Sequence, residues 1–283
     1  MRKTLQDYKS FIDPVWCPGC SNYGVLKALI KALMELDIPP EDTVVVSGIG
    51  CSGRISHYLN SYSLHGTHGR ALPIALGAKI ARSELHVIVA GGDGDGLGIG
   101  GGHIPHAARK NVDITYLLFD NQIYGLTKGQ ASPTTPMGMN TKTSPYGVYE
   151  EPMITIPIFL AYDISFIALS SSILLDELTN TIKKAISHKG MSIVDILSQC
   201  RTYPVGDIKK MESQFKPVPD DHPVDNKMKA MELAYSRNPI YTGIYYQIQK
   251  PTLEDLLQEQ TKKACKANDG KPLSLEQLVQ IFS

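Results

Sequence analysis

The sequence lacks an excess of charge of either sign, because its 28 Lys and Arg residues balance its 28 Asp and Glu residues. Without a net positive field, the chain has no general attraction for nucleic acid or for an anionic membrane surface. It also lacks any uncharged apolar run of the roughly 18 residues that a membrane span needs, and the segment from Met1 to Ser10 lacks the apolar core of a signal peptide. These absences predict a cytoplasmic protein whose partners are neither nucleic acid nor a membrane.

Cysteine is also scarce. The chain has five cysteines, too few and too unevenly spaced for a disulfide framework in a protein of 283 residues, so roles in metal binding or redox chemistry are favoured. Cys17 and Cys20 form a Cys-x-x-Cys motif, which by itself fits a zinc knuckle, a dithiol redox pair or an iron–sulfur cluster. Cys265 lies in a polar tail, where we expect an unligated thiol.

The chain is rich in alternating strand-like and helix-like segments. Apolar residues at helical spacing predict a helix over residues 21–36, with Ser21 as its N-cap. β-branched and apolar runs predict strands, and the Ala- and Leu-rich segments between them predict further helices. The predicted strands are 43–46, 86–90, 114–120, 165–169 and, as the last strand, 192–197; the further helices are 69–82, 102–110 and 175–188.

This alternation predicts an α/β fold with a mostly parallel sheet, helices on both faces and ligands at the carboxyl ends of the strands. Cys51 and Cys200 each follow a predicted strand, and Cys17 and Cys20 precede a helix, so three segments can converge near one point. The Gly-, Pro-, Ser- and Thr-rich residues 129–157 predict a long loop that acts as a lid or contacts a partner.

A glycine-rich turn after the strand predicted over 86–90 contains Gly92-Asp93-Gly94. A carboxylate in such a turn can bind a hard cation while the neighbouring backbone N–H groups face phosphate oxygens. The glycine-rich residues 91–102 taken alone also fit a flexible loop without a ligand. Asn121 follows the next strand, and parallel packing would bring it beside Asp93. The pair favours a magnesium–diphosphate site.

This pattern resembles the signature of thiamine diphosphate enzymes, in which Gly-Asp-Gly is followed by a helix, a strand and an asparagine. Here Asp120-Asn121 stands where many relatives have two asparagines. The resemblance implies that Asp93, the side chain of Asn121 and the backbone oxygen of Ile123 hold Mg²⁺, which bridges the two phosphates. It also implies that Gly94 and Asp95 line those phosphates.

A more specific resemblance covers most of residues 11–200. The motifs are Trp16-Cys17-Pro18-Gly19-Cys20, Gly48-Ile49-Gly50-Cys51-Ser52, His68-Gly69-Arg70, Gly92-Asp93-Gly94-Asp95-Gly96 and the segment from Asp120 to Gln130. Together they resemble the β subunit of 2-oxoacid:ferredoxin oxidoreductases. That family implies one bound thiamine diphosphate with Mg²⁺ and one 4Fe-4S cluster.

The resemblance also implies the residues of each site. For the cluster they are Cys17, Cys20, Cys51 and Cys200, the last assigned from family order and not from spacing. For the cofactor they are Ile49, Gly50, Cys51, Ser52, His68, Gly69, Arg70, Gly92, Asp93, Gly94, Asp95, Asn121, Ile123, Gly125 and Leu126. We therefore predict that residues 1–200 form the thiamine diphosphate-binding domain with the cluster site. Residues 201–283, rich in prolines and charges up to residue 251 and followed by a helical tail, form an extension on the core or on a partner subunit.

Lys128 and His68 are the candidate catalytic side chains. Lys128 is either an ordinary surface lysine or, as the resemblance implies, a group that helps to hold the carboxylate of a 2-oxoacid. His68 and Arg70 are either solvated groups or contacts to phosphate and substrate, and contact is favoured for His68. His103 and His106 receive no role.

The resemblance implies oxidative decarboxylation of a 2-oxoacid, with coenzyme A taking the acyl group and ferredoxin the electrons, or the reverse carboxylation. The segment from Gly125 to Gln130 looks closer to relatives acting on 2-oxoglutarate or a broad 2-oxoacid range than to strict pyruvate enzymes. Thiamine enzymes generally use an activating glutamate, yet residues 85–149 contain no Glu. We therefore expect an α subunit, alone or fused to a γ-like domain, to supply this acid.

Two other classes of protein fit part of the pattern. A non-oxidative thiamine decarboxylase or synthase would keep Asp93 and Asn121 but would not need four converging thiolates. A zinc-stabilised, non-catalytic subunit would use the Cys-x-x-Cys motif for zinc and the glycine-rich loop for an unrelated nucleotide. Iron content and visible absorption distinguish both from the oxidoreductase.

Overall fold

The central feature of the computed structural model, which describes residues 3–236, 238–267, 271 and 273–282, is one eight-stranded sheet. Its strand order is β2-β1-β3-β4-β8-β7-β10-β9, and β5 pairs separately with β6. The strands are β1 Thr43–Ser47, β2 Tyr62–His65, β3 His86–Gly92, β4 Ile114–Asp120, β5 Ile123–Tyr124, β6 Gln130–Ala131, β7 Phe166–Ser171, β8 Ser192–Leu197, β9 Phe215–Pro217 and β10 Ile240–Gln247.

Helices cover both faces of the sheet. They are α1 Leu5–Tyr8, α2 Asn22–Glu35, α3 Ala71–Ala81, α4 Ile104–Lys110, α5 Thr155–Ala161, α6 Leu175–Ser187, α7 Ile208–Glu212, α8 Lys227–Ala234, α9 Leu253–Ala267 and α10 Leu275–Phe282. One apolar core packs α2 and α6 against the sheet, and a second core packs α3, α4, α5 and α8 on the opposite face. The helical spacing of apolar residues in α2 and α6 produces this arrangement.

Side chains of the central strands alternate between the two cores. In β4, Tyr116 and Leu118 enter one core, while Leu117 and Phe119 enter the other. Every residue of β4 is buried, as expected of a strand that is covered on both faces. The predicted α/β class is confirmed, because β1, β2, β3, β4, β7 and β8 are parallel and helices lie on both faces.

Most predicted elements are confirmed within a few residues, but one interpretation is confirmed only in part and another is wrong. Ser21 occupies the N-cap position of α2, but its side chain makes no capping hydrogen bond, and its dihedral angles, φ −61° and ψ −22°, are already helical. The strand 192–197 is not the last, because β10 pairs antiparallel with β7 in the same sheet. The division at residue 200 stays a prediction.

The parallel strands end at the same edge of the sheet and place the predicted motifs there. β1 ends at Ser47 and runs into a 3₁₀ turn over Ser52–His57, and β3 ends at Gly92 and runs into a π-helical turn over Gly94–Ile99. The turn after β4 begins at Asn121, and Cys200 lies three residues after β8. The predicted loop 129–157 is largely irregular, apart from β6 at its start and the first residues of α5 at its end.

Candidate cofactor and thiol sites at the carboxyl ends of the strands

A cavity of about 470 Å³ opens at this edge of the sheet, within the range of about 300–1,000 Å³ typical of small-molecule sites. Its walls are the turns that follow β1, β2, β3 and β4. The predicted residues that line it are Ile49, Gly50, Cys51, Ser52, His68, Gly92, Asp93, Gly94, Asp95, Asn121, Ile123, Gly125 and Leu126. The fold thus places almost all the candidate cofactor residues around one cavity.

Three predicted residues, Gly69, Arg70 and Lys128, do not line this cavity. The Gly69 amide donates to Asp95 Oδ1 at 2.7 Å, so Gly69 supports the wall from behind. Arg70 Nη1 donates to the Ile99 carbonyl at 3.4 Å. Tyr124, Thr127 and Gln130 also line the cavity. They were not among the candidate site residues, although the motif from Asp120 to Gln130 contains all three.

The glycines of this wall allow close packing. A Cβ atom on Gly94 would lie 2.2 Å from Cε1 of Tyr124, and one on Gly48 would lie 1.9 Å from Oδ2 of Asp95. Tyr124 also donates its hydroxyl to the Gly94 carbonyl at 2.9 Å. The turn after β3 is therefore held in a defined shape, unlike the flexible loop that the glycine content alone also fits.

Asp95 holds two neighbouring turns together. Its Oδ1 accepts hydrogen bonds from the Ile49 amide at 2.8 Å and the Gly69 amide at 2.7 Å, and lies 3.0 Å from His68 Nδ1. Since Oδ1 is an acceptor, Nδ1 carries the proton, and Nε2 is the nitrogen that is not used in this bond. Asp95 thus fixes the ring of His68 at the cavity wall.

Asp93 lies at the end of β3 and is only 1% exposed. Its Oδ1 accepts from the Asn121 amide at 3.3 Å, and its Oδ2 accepts from Thr134 Oγ1 at 2.9 Å. Burial raises the pKa of Asp93, and hydrogen bonds from Ser132, Thr134 and the Asn121 amide oppose that rise. Among the described residues, no Lys or Arg forms an ion pair with Asp93.

A buried carboxylate without a cationic partner is costly unless a cation binds it. Asn121 lies beside it and accepts from the Ile123 amide through Oδ1 at 3.0 Å, which shapes the turn after β4. Asp93, Asn121 and Ile123 all line the same cavity. Their carboxylate, amide and carbonyl oxygens are the donors that Mg²⁺ prefers, so these residues fit the predicted ion.

Two further buried carboxyl groups lie near Asp93, and sequence reasoning missed this group. Burial, together with the charges of Asp195 and Asp93, raises the pKa of Asp120 well above its ordinary value. Burial also raises the pKa of Asp195 to about 7, although a hydrogen bond from Thr155 Oγ1 opposes this rise. Thr134 Oγ1 lies 2.7 Å from Asp120 Oδ1 as well as 2.9 Å from Asp93 Oδ2, and so joins two of the three carboxyl groups.

Four thiols, those that the family resemblance implies, line a second cavity of about 160 Å³. They are Cys17, Cys20, Cys51 and Cys200. Burial raises the pKa of Cys20 to about 11, and the other three thiols contribute to that rise, which shows that the four groups are near one another. Cys265 lies on α9, exposed.

Hydrogen bonds hold the thiol-bearing turns in place. Trp16 Nε1 donates to the Cys51 carbonyl at 2.6 Å, which ties the Cys-x-x-Cys turn to the end of β1. The Tyr203 amide donates to Cys200 Sγ at 3.4 Å, and Thr202 Oγ1 donates to Cys17 Sγ at 3.3 Å. Donors to sulfur are the means by which a protein tunes an iron–sulfur centre.

The chemistry of this donor set can be compared with the predicted cluster. Four cysteines around one cavity are the ligands that a 4Fe-4S cluster uses, and structural zinc can use the same four. In the described part of the chain, no group of three or more His, Cys, Asp or Glu side chains is placed to hold a metal ion. The cluster therefore stays a prediction that the donor set fits.

The thiol cavity adjoins the cofactor cavity. Cys51, Asn121, Gly125 and Leu126 line both. Lys128, predicted as a substrate contact, lines the thiol cavity together with Arg54 and Arg201. Lys128 has a positive φ of 86° in the tight turn that follows Gly125.

The comparisons with known proteins agree with this geometry. The family model "Thiamine pyrophosphate enzyme, C-terminal TPP binding domain" matches residues 48–196, so the fold and the site define a thiamine pyrophosphate-binding protein. A second family model, which describes the C-terminal part of the pyruvate ferredoxin oxidoreductase beta subunit, matches residues 210–262.

Three relatives narrow the class. The chain is 45% identical over 203 residues to 2-oxoacid:ferredoxin oxidoreductase 2, subunit beta, of Aeropyrum pernix, covering 72% of this chain and 66% of that one. It is 39% identical over 251 residues to 2-oxoglutarate synthase subunit KorB of Methanocaldococcus jannaschii, covering 88% and 93%. The solved 2-oxoglutarate:ferredoxin oxidoreductase from Magnetococcus marinus, with 2-oxoglutarate, coenzyme A and succinyl-CoA bound, superposes with a TM-score of 0.92 at 39% identity and covers 99% and 96%.

The chain therefore belongs to the β-subunit family of 2-oxoacid:ferredoxin oxidoreductases, and the predicted family and enzyme class are confirmed. The name of the family implies a heteromeric complex, which agrees with the predicted need for a partner subunit. Within the described residues, no helix is both long and apolar enough to cross a membrane.

Proposed function

We propose that this chain is the thiamine diphosphate-binding, electron-transferring subunit of a coenzyme A-dependent 2-oxoacid:ferredoxin oxidoreductase that favours 2-oxoglutarate. One observation carries the proposal: the cavity lined by Asp93 and Asn121 shares a wall with the cavity lined by four thiols. A non-oxidative thiamine enzyme has no use for this second cavity. Electrons released by decarboxylation can leave through a cluster only where the two sites adjoin.

In this proposal Asp93, the Asn121 side chain and the Ile123 carbonyl hold Mg²⁺ on the diphosphate, with Gly94 and Asp95 in the same wall. Thiamine diphosphate, when bound, supplies the nucleophilic carbon and the electron sink for decarboxylation of the 2-oxoacid. The turn after β1 shapes the wall through Ile49, Gly50 and Ser52. Cys17, Cys20, Cys51 and Cys200 hold one 4Fe-4S cluster.

His68 and Lys128 are the proposed substrate-handling residues. Asp95 fixes the proton of His68 on Nδ1, which leaves Nε2 as an acceptor for a proton or a hydrogen bond from a substrate group. The ammonium of Lys128, beside the shared wall, is suited to hold the 2-oxoacid carboxylate by a charge-assisted contact. Arg70 does not line the cofactor cavity, and its Nη1 donates to the Ile99 carbonyl of the turn after β3.

The partners follow from what the cavity needs. Among the described residues that line it, the carboxyl groups belong to Asp93 and Asp95, and none is a Glu. We therefore assign the activating glutamate to an α subunit, alone or fused to a γ-like domain. In the oxidative direction, ferredoxin receives the electrons in the cytoplasm and coenzyme A takes the acyl group. In reductive carboxylation, ferredoxin supplies the electrons and acyl-coenzyme A supplies the acyl group.

The preference for 2-oxoglutarate rests on names of relatives and on the segment from Gly125 to Gln130. The M. jannaschii relative is called a 2-oxoglutarate synthase subunit, and the M. marinus structure was solved with 2-oxoglutarate bound. Pyruvate is the second candidate substrate, because the C-terminal family model is named for a pyruvate enzyme.

The test is to purify the chain anaerobically with its co-expressed α subunit and to measure iron, thiamine diphosphate and dye reduction. We expect visible absorption from a cluster, and reduction that depends on coenzyme A and is fastest with 2-oxoglutarate. Pyruvate as the faster substrate would overturn the substrate assignment. Stoichiometric zinc, or decarboxylation without reduction of the dye, would overturn the function.

A further inference from the structure

We propose that Thr134 is a positioning residue that orients the Asp93 carboxylate for its cation and thereby links the loop after β6 to metal binding. The inference rests on the proposed magnesium–diphosphate site. It concerns a residue of the long loop 129–157, outside the turn that carries Asp93 and outside the turn that carries Asn121.

The geometry is that of a hydroxyl held between two carboxyl groups. Thr134 is only 3% exposed, and its Oγ1 lies 2.9 Å from Asp93 Oδ2 and 2.7 Å from Asp120 Oδ1. The second oxygen of Asp93 accepts the Asn121 amide at 3.3 Å. Both oxygens of the buried carboxylate are thus engaged, one by the turn after β4 and one by Thr134, and Ser132 of the same loop adds a further hydrogen bond.

These two bonds fix the plane of the Asp93 carboxylate. A carboxylate has about four lone-pair sites, so a site remains for a cation beside the hydrogen bonds from the Asn121 amide, Thr134 and Ser132. Mg²⁺ demands near-ideal octahedral geometry, so a rotation of the carboxylate is costly to its binding. Groups that orient a ligand in this way typically contribute about 10- to 100-fold to metal affinity.

The loop around Thr134 is held firmly enough for this role. Thr135 Oγ1 donates to the Gln122 carbonyl at 2.6 Å and accepts from the Ser132 amide at 2.7 Å. The Met153 amide donates to the Pro133 carbonyl at 2.9 Å. The position of Thr134 is therefore set by bonds that do not involve the carboxylates.

The test measures cation binding directly, in the anaerobic full-length chain with its α subunit. Mn²⁺ replaces Mg²⁺ as an EPR-visible probe and is titrated in the presence of saturating thiamine diphosphate. We expect Thr134→Val, which keeps the side-chain shape but removes the hydroxyl, to raise the Mn²⁺ Kd by roughly 10- to 100-fold. Thr134→Ser, which restores the hydroxyl, should return the Kd close to that of the unaltered protein.

Thr143→Val is the matched control. Thr143 lies exposed on the same loop, and its hydroxyl accepts from the Ala131 amide at 3.2 Å without touching either carboxyl group. We expect its Mn²⁺ Kd, iron content and thermal unfolding to stay unchanged. Thr134→Val should also keep its iron content, because the thiol cavity does not include this loop.

Three results would count against the inference. An unaltered Mn²⁺ Kd in Thr134→Val, in a protein whose starting form binds Mn²⁺ tightly, would overturn the role of Thr134 but leave the proposed function standing. A starting protein that binds no Mn²⁺ with thiamine diphosphate would overturn both. If the Mn²⁺ Kd rises in Thr134→Val and stays high in Thr134→Ser, the loop has been disrupted. That result would also count against the inference.

Discussion

At the scale of single residues, Asp93 joins three parts of the chain. It ends β3, accepts the amide of Asn121 after β4, and accepts the hydroxyl of Thr134 from the loop after β6. A buried carboxylate at such a junction is stabilised when a cation binds it. Two of its neighbours, Asp120 and Asp195, are buried acids as well.

We expect Asp93→Ala to abolish Mg²⁺-dependent retention of thiamine diphosphate while the cluster stays intact. The loss should exceed the roughly 10- to 100-fold effect of removing a supporting group, because a direct ligand disappears. Isothermal titration of thiamine diphosphate with and without Mg²⁺ measures it, and iron analysis is the control. Unchanged cofactor affinity would contradict the assignment of Asp93.

Asp195 should make the stability of the fold depend on pH. Burial raises its pKa from the ordinary value of 3.8 to about 7, so between these values the folded chain binds more protons than the unfolded chain. Stability is therefore fully present at low pH and declines as pH rises through 7, by at most about 1.4 kcal/mol per pH unit for one group.

We expect Asp195→Asn, an uncharged analogue of the protonated acid, to show a smaller loss of stability between pH 5 and 8 than the unaltered chain. Asn at this position still accepts from Thr155, while one oxygen of Asp195 has no hydrogen-bond partner among the described residues. Urea unfolding midpoints at the two pH values make the comparison. Equal pH slopes in both proteins would refute the role of Asp195.

At the scale of elements, the sequence predicted the strands and helices whose side chains repeat regularly. β4 was predicted with the bounds Ile114–Asp120, because an unbroken apolar run between two turns has few alternatives. β10 was missed, because a register shift between Ile244 and Tyr246 breaks its alternation and Gly243 interrupts it at φ 127°. β2 was missed because all four of its residues are exposed.

The candidate site follows the same division. Asp93 and Asn121 could be predicted because they stand directly after strands that end at one edge of the sheet, whereas the set of four cysteines was implied by the family resemblance. Thr134 could not, because it reaches Asp93 across 41 positions of sequence from a loop without periodicity. Asp195 lies inside a strand, and only the packing of α5 against it reveals its contact with Thr155.

The turn after β3 should tolerate no side chain at Gly94. A Cβ atom there would lie 2.2 Å from the ring of Tyr124, so we expect Gly94→Ala to destabilise the chain by roughly 1–3 kcal/mol and to weaken cofactor binding. Gly101→Ala is the matched control, since nothing lies within 4 Å of the added atom. Urea unfolding compares the free energy of unfolding of the two variants. Equal values would show that Tyr124 moves aside without cost and would contradict this prediction.

At the scale of the whole molecule, one sheet presents two adjoining cavities at the same edge. The turn after β1 contributes Cys51 to both, and the turn after β4 contributes Asn121, Gly125 and Leu126 to both. The α2 helix and the segment after β8 bring the other thiols to this edge. The proposed function assigns decarboxylation and electron removal to these neighbouring cavities of one subunit.

The cluster and the cofactor should be separable by mutation of a thiol outside the shared wall. We expect Cys20→Ser to lose most of its iron, its visible absorption and dye reduction, yet to bind thiamine diphosphate with Mg²⁺ as before, because Cys20 lines only the thiol cavity. Cys265→Ser, altered on the exposed face of α9, serves as the control and should behave normally. Full iron content in Cys20→Ser would remove this residue from the ligand set.

The turn after β1 contributes to both the cofactor cavity and the thiol cavity. Its carbonyl at Cys51 is bonded to Trp16, its amide at Ile49 is bonded to Asp95, and its thiol faces the neighbouring space. Under the proposed function, an exchange in this short stretch is expected to affect both the diphosphate site and the surroundings of the cluster. Selection for a new substrate or a new redox potential is therefore expected to leave these positions alone and to act on the loop after β6 or on the partner subunit.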